Sequence, residues 1–133
     1  MFDAVAKNTL APLVLRLALA AIFTYHGALL VQQDWGTKAL PDQPVAVQIA
    51  VAWGELIGGI AMLLGFLTRL AALGLIGIMA GAIARVHWEH GFNIVKGGYE
   101  YNMLIIVVCI ALILTGPGSV AVDRFFHLRR RQA

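Results

Sequence analysis

Four long apolar stretches, separated by charges gathered into a few short places, decide what this chain can fold into. Most Asp, Glu, Lys and Arg residues lie near the N-terminus, in two connecting segments and in the tail, leaving apolar runs at about 10–31, 45–67, 70–88 and 99–115. At helical rise, about 20 residues cross a hydrocarbon core of roughly 30 Å. With 60% hydrophobic and 13% charged residues among 133, the chain has too little polar surface to cover a soluble domain. The expectation is an all-α membrane protein. Its 133 residues would form a single membrane domain, a four-transmembrane-helix bundle followed by a basic tail, 116–133, with room for a short interfacial C-terminal helix bearing Phe125 and Phe126.

The remaining composition excludes several classes. The single cysteine, Cys109, sits inside an apolar run, so a disulfide framework, a CxxC pair and a cysteine zinc site have no material within one chain. No other metal signature is present. The net charge of +3 comes largely from Arg129, Arg130 and Arg131, which a membrane-flanking tail explains better than nucleic-acid binding. Arg16 interrupts the first run where a signal-peptide core would lie, so this run is read as a retained helix with Pro12 in its opening turn. Arg16 itself is close enough to the nearer membrane surface to snorkel.

Orientation follows from Lys and Arg. The N-terminus, a tight turn at Thr68-Arg69 and the tail hold six (Lys7, Arg69, Arg124, Arg129, Arg130, Arg131), against three on the other side (Lys38, Arg85, Lys96). Both termini are therefore expected in the cytoplasm of a bacterium, with the protein multi-pass in its plasma (inner) membrane. The two longer connectors, Gln32 to Pro44 and Glu89 to Gly98, then face outward.

Between helices in lipid, small residues allow close backbone approach. Gly54 and Gly58, with Gly59 beside them, mark the second run, and Gly74, Gly77 and Gly81 mark the third. Together with the short turn, they predict that runs two and three pack tightly as a hairpin.

Ionisable residues within the apolar runs carry the functional signal, because they are costly to retain. Gln48, Glu55, Gly59, Met62 and Phe66 share one face of run two at helical spacing, and Gly74, Gly81 and Arg85 share one of run three. The antiparallel path brings His26, Arg85, His87, Glu100 and Asn102 toward the outer half, with Glu55 deeper. These six are the candidate ligand-binding or proton-relay residues of a pocket open to the outer side. The alternative is structural: ion pairs of Arg85 with Glu55 or Glu100 that make the charges tolerable.

Several runs together resemble the DoxX family of small four-helix membrane proteins: Gly54-Glu55-Leu56-Ile57-Gly58-Gly59, then Leu63-Leu64-Gly65-Phe66-Leu67-Thr68-Arg69-Leu70-Ala71-Ala72. Arg16, His87 with Gly91-Phe92, Glu100-Tyr101-Asn102 and Thr115-Gly116-Pro117-Gly118 extend the likeness over nearly the whole chain. The resemblance implies a four-helix bundle and a role in membrane redox chemistry. Relatives include membrane subunits of thiosulfate:quinone oxidoreductase and partners of detoxifying redox enzymes. Wider relatives that handle disulfides use cysteine pairs, which this chain lacks, so thiol exchange is removed.

The leading expectation is a subunit of a membrane oxidoreductase system that binds a quinone or similar amphipathic ligand, without a covalently attached cofactor. Electrons would come from a protein partner. Besides the lipid bilayer, a protein partner or homo-oligomer is expected. Two other classes compete: a non-catalytic anchor or assembly partner of a larger complex, and a small-solute or proton-coupled transporter suggested by the midplane carboxylate of Glu55.

Overall fold

The computed structural model describes residues 2–35, 40 and 42–130. Lys38 and Arg131, which entered the charge count, lie outside the described residues. Among those described there is no strand. Three stretches are long and apolar enough to cross a membrane, Asp3–Val31, Val45–Leu64 and Thr68–His90, and Glu100–Thr115 is a shorter apolar helix.

Helix α1 (Ala11–Val31) continues without a break from a turn of helix at Phe2–Val5 and a π-helical segment at Ala6–Leu10. Helical structure therefore begins well before the expected start at 10. Pro12 contributes no N–H to the ladder, which leaves the carbonyl of Asn8 available, and Ser119 N–H donates to it at 3.0 Å. Helix α2 (Val45–Leu64) ends where Gly65 takes a left-handed φ of 67°. Leu67 also turns left-handed, at φ 47°. The chain thus reverses over 65–67, and Thr68 already belongs to helix α3 (Thr68–Ala82), which corrects both the expected end of run two at 67 and the turn at Thr68-Arg69. Past Ala82 the same rod goes on as a π segment, Ile83–His87, and a short 3₁₀ turn, Trp88–His90. Helix α4 (Glu100–Thr115) stops at Gly116, and the tail folds into helix α5 (Val122–Arg130).

The most extensive pairing is α1 against α2, followed by α3 against α4, with α2 against α3 less extensive. Runs two and three, expected to pack tightly as a hairpin, do adjoin, but less extensively than either of the other pairs. The glycines explain it. A Cβ at Gly59 would lie 2.5 Å from the Thr24 nitrogen of α1, and one at Gly27 would collide with the backbone of Leu56. Both positions are backbone-to-backbone contacts between α1 and α2 that admit only glycine. Gly54 and Gly58 do face α3, but they meet the side chains of Ile78 and Leu75. Around Gly74, Gly77 and Gly81 a Cβ would find nothing within 4 Å, so these three pack against no helix.

The buried core, with Leu19, Phe23, Met62, Leu75, Ile105, Cys109 and Leu112, fills the bundle on the side of the 65–67 turn. Beneath it lies a polar knot centred on Arg16, which is only 2% exposed. Its Nε donates to Met62 O at 2.9 Å, Nη2 to Leu63 O at 3.0 Å, and Nη1 to Pro117 O at 3.0 Å and Val120 O at 2.5 Å. Arg16 does not snorkel. It supplies the donors that the last carbonyls of α2 and those of the α4–α5 loop require once the helical ladder ends. Nearby, Asp123 of α5 caps α3 from across the molecule, accepting from Leu67 N at 2.6 Å and Thr68 N at 2.8 Å. The hydroxyls of Thr9 and Ser119 also pair there. Tail, turn and first helix are thus tied into one closed end.

Candidate functional site

At the opposite end the helices enclose a cavity of about 790 Å³. Helix α1 gives it Phe23 and His26, α2 gives Val51 and Glu55, α3 gives Gly74, Gly77, Met79 and Gly81, and α4 gives Tyr101 and Asn102. The π segment gives Arg85 and His87. A π turn widens the helix and re-aims the side chains it carries, and both residues sit on it. The three α3 glycines thus form a wall without side chains rather than a helix contact, and this absence leaves room for a flat or bulky guest.

Glu55, eleventh of the twenty residues of α2, is 7% exposed. Its Oε2 is buried and has no hydrogen-bond partner. Such a group is costly in a low-dielectric interior. It is an acceptor, or when protonated a donor, on a side chain that lines the cavity, with nothing among the described residues to answer it. Asn102 is equally buried, and its Nδ2 donates to Met79 Sδ at 3.4 Å, a weak acceptor. The polar centre of the cavity is therefore under-satisfied by its own walls.

The remaining candidates occupy the mouth. Arg85 Nη1 donates to Gln43 Oε1 at 3.0 Å. It forms no ion pair with Glu55 or Glu100, so the structural alternative for these charges is not what the geometry contains. His87 Nδ1 lies 2.6 Å from Gly97 O, which leaves its Nε2 for other partners. His26 meets the edge of Tyr25 at 5.5 Å and is exposed on the cavity side. Five of the six candidates, His26, Glu55, Arg85, His87 and Asn102, thus border one space.

Glu100 does not. Its Oε2 accepts from Ile94 N at 3.2 Å, clamping the second connector to the start of α4. As the first residue of that helix it turns toward the connector, while Asn102, two positions on, faces inward. The connector is otherwise ordered by Asn93, whose Oδ1 accepts from Val95 N at 2.8 Å, and by Tyr99, stacked on Trp88 at 5.8 Å.

Gln43 was missed from sequence. It precedes α2 in a connector of ordinary polar composition, yet it holds Arg85 through its side chain and accepts from Gln48 Nε2 at 2.9 Å through its backbone carbonyl. The only signal was its position beside Pro44 at the entry to the helix that carries Glu55. No cluster of three or more His, Cys, Asp or Glu able to hold a metal ion occurs among the described residues.

The chain is 32% identical over 81 residues to an uncharacterized protein of Haemophilus influenzae, covering 60% of this chain and 54% of that one. It thus spans about half the length of that relative. It is 32% identical over 119 residues to a Bacillus subtilis (strain 168) protein named "Putative oxidoreductase CatD", covering 85% of this chain and 84% of that one. No solved structure matches it significantly. The DoxX family model matches residues 11–88, from the start of α1 to the residue just past the π segment that carries Arg85 and His87. With that match over more than half its length, this membrane chain belongs to the DoxX family.

Proposed function

We propose that the cavity binds a quinone or similar amphipathic ligand, and that the chain serves membrane redox chemistry as a subunit of a larger oxidoreductase system. One observation carries this reading: an unpartnered, buried carboxyl oxygen of Glu55 at the floor of an otherwise apolar space bordered by Asn102, Arg85, His87 and His26. A ring with polar groups at opposite ends suits that distribution, and the glycine wall of α3 offers a smooth surface for it. The oxidoreductase name of the Bacillus subtilis relative points the same way.

When bound, a quinone supplies the electron-carrying ring. The chain's own residues hold and orient it. Glu55 accepts from or donates to the inner polar group, and Asn102 can exchange its weak sulfur contact for a stronger oxygen partner. Arg85 and His87 at the mouth meet the outer polar group, and His87 can pass protons between the cavity and water. Electrons come from a partner protein. In this reading all four apolar helices cross a bacterial inner membrane, both termini are cytoplasmic, and the cavity opens outward.

The test is to purify the protein in mild detergent, extract its bound lipophilic molecules and measure its thermal midpoint with added quinone. Co-extracted quinone and a dose-dependent rise, both lost in Glu55→Gln, are expected. Absence of quinone together with no quinone-dependent shift would sink the proposal.

A further inference from the structure

A second hollow lies at the closed end, away from the cavity. It is a groove of about 540 Å³ between α5 and the adjoining parts of α1 and α2, walled by Leu13, Leu63, Leu64, Val120, Phe125 and Phe126. Phe125 and Phe126 meet edge to face at 6.4 Å and remain 65% and 52% exposed. The helix that presents them is fixed in place, because both carboxylate oxygens of Asp123 are engaged by the N–H groups of Leu67 and Thr68. Arg16 also lines the groove, with its guanidinium committed to backbone carbonyls.

Charge separates this groove from a generic lipid-facing surface. From Gly116 onward the chain has four arginines, Arg124, Arg129, Arg130 and Arg131, and a single acid, Asp123, already used as a cap. Arg124 is exposed one residue before the phenylalanine pair. An apolar trough beside an exposed arginine whose acidic neighbour is already engaged, at the end of a bundle of lipid-facing helices, matches a molecule with an acyl chain and an anionic head.

We infer that this groove is a binding site for an anionic phospholipid, its acyl chain along Leu63, Leu64 and Phe126 and its phosphate drawn to Arg124. The lipid stays with the protein as a structural ligand, and α5 is held on the surface of its leaflet.

Native mass spectrometry of the full chain, released from nanodiscs of phosphatidylcholine mixed with phosphatidylglycerol, tests this. The expected result is selective retention of phosphatidylglycerol. At the attraction typical of one basic residue near an anionic surface, Arg124→Gln lowers retention about fivefold and Arg124→Lys restores most of it. Phe126→Ser weakens retention of both lipids. Because Arg124 is exposed, its variants should keep the parent melting midpoint in detergent, which separates lost lipid from lost fold. Equal retention of the two lipids, or no change on Arg124→Gln, overturns the proposal. So does a dimer that depends on Phe125 and Phe126 and carries no lipid, since a second copy would then occupy the groove.

Discussion

Glu55 and Arg16 are both charged residues placed in apolar helices, and the structure treats them in opposite ways. Arg16 is saturated: four backbone carbonyls from two separate parts of the chain converge on it. Arg16→Leu removes the donor to Leu63, Pro117 and Val120 and leaves Met62 O only the 3.3 Å bond from Gly65 N–H, and should destabilise by about 3 kcal/mol or more. Arg16→Lys should rescue little, since a compact ammonium cannot span what a planar fork reaches. Thermal melting in detergent reads both. At Glu55 the orphan oxygen predicts the reverse sign. Glu55→Leu should raise the melting midpoint, by relief of about 1–3 kcal/mol, while abolishing any quinone-dependent shift. A variant that melts lower than its parent would place Glu55 among the residues that hold the bundle together.

The glycines divide the helices by what each face is for. At Gly27 and Gly59 a methyl group meets the backbone of the partner helix, so Gly27→Ala or Gly59→Ala should force α1 and α2 apart and cost several kcal/mol, in the manner of overpacking. Gly77→Ala meets nothing. It should leave stability unchanged or raise it by up to about 1 kcal/mol through helix propensity, while reducing ligand capacity by filling the wall. Comparing melting midpoints with ligand retention across the three variants separates these roles. This division was only partly legible in the sequence. Apolar runs and their breaks located the helices, and helical spacing put Gln48, Glu55, Gly59 and Met62 on the buried face. Glycine spacing alone could not say which neighbour a glycine meets, because GxxxG looks the same facing a helix or a void. Arg16 was misread for a related reason: its partners are main-chain carbonyls, which leave no mark in the sequence. Asp123 capping α3 and the π turn under Arg85 and His87 depend on long-range geometry in the same way. Glu100 was placed with the pocket by the antiparallel path, which brings the start of run four to the outer half but does not say that its side chain turns back to the connector.

For the molecule as a whole, the placement of its ends across a membrane can be checked without disturbing the core. Cys109 is completely buried, so it should give little background with a membrane-impermeant thiol reagent. Val95, on the second connector, is 90% exposed. In intact cells Val95→Cys should label from outside, and Arg124→Cys only after the membrane is opened. The reverse pattern would invert the orientation and place the cavity on the cytoplasmic side. Either way, the knot of Arg16, Asp123 and Ser119 has a consequence for traffic. A bundle corked at its base and hollow at its top is a blind well, and what enters it has to leave by the way it came. One copy of this chain is therefore shaped to hold a guest rather than to let it through.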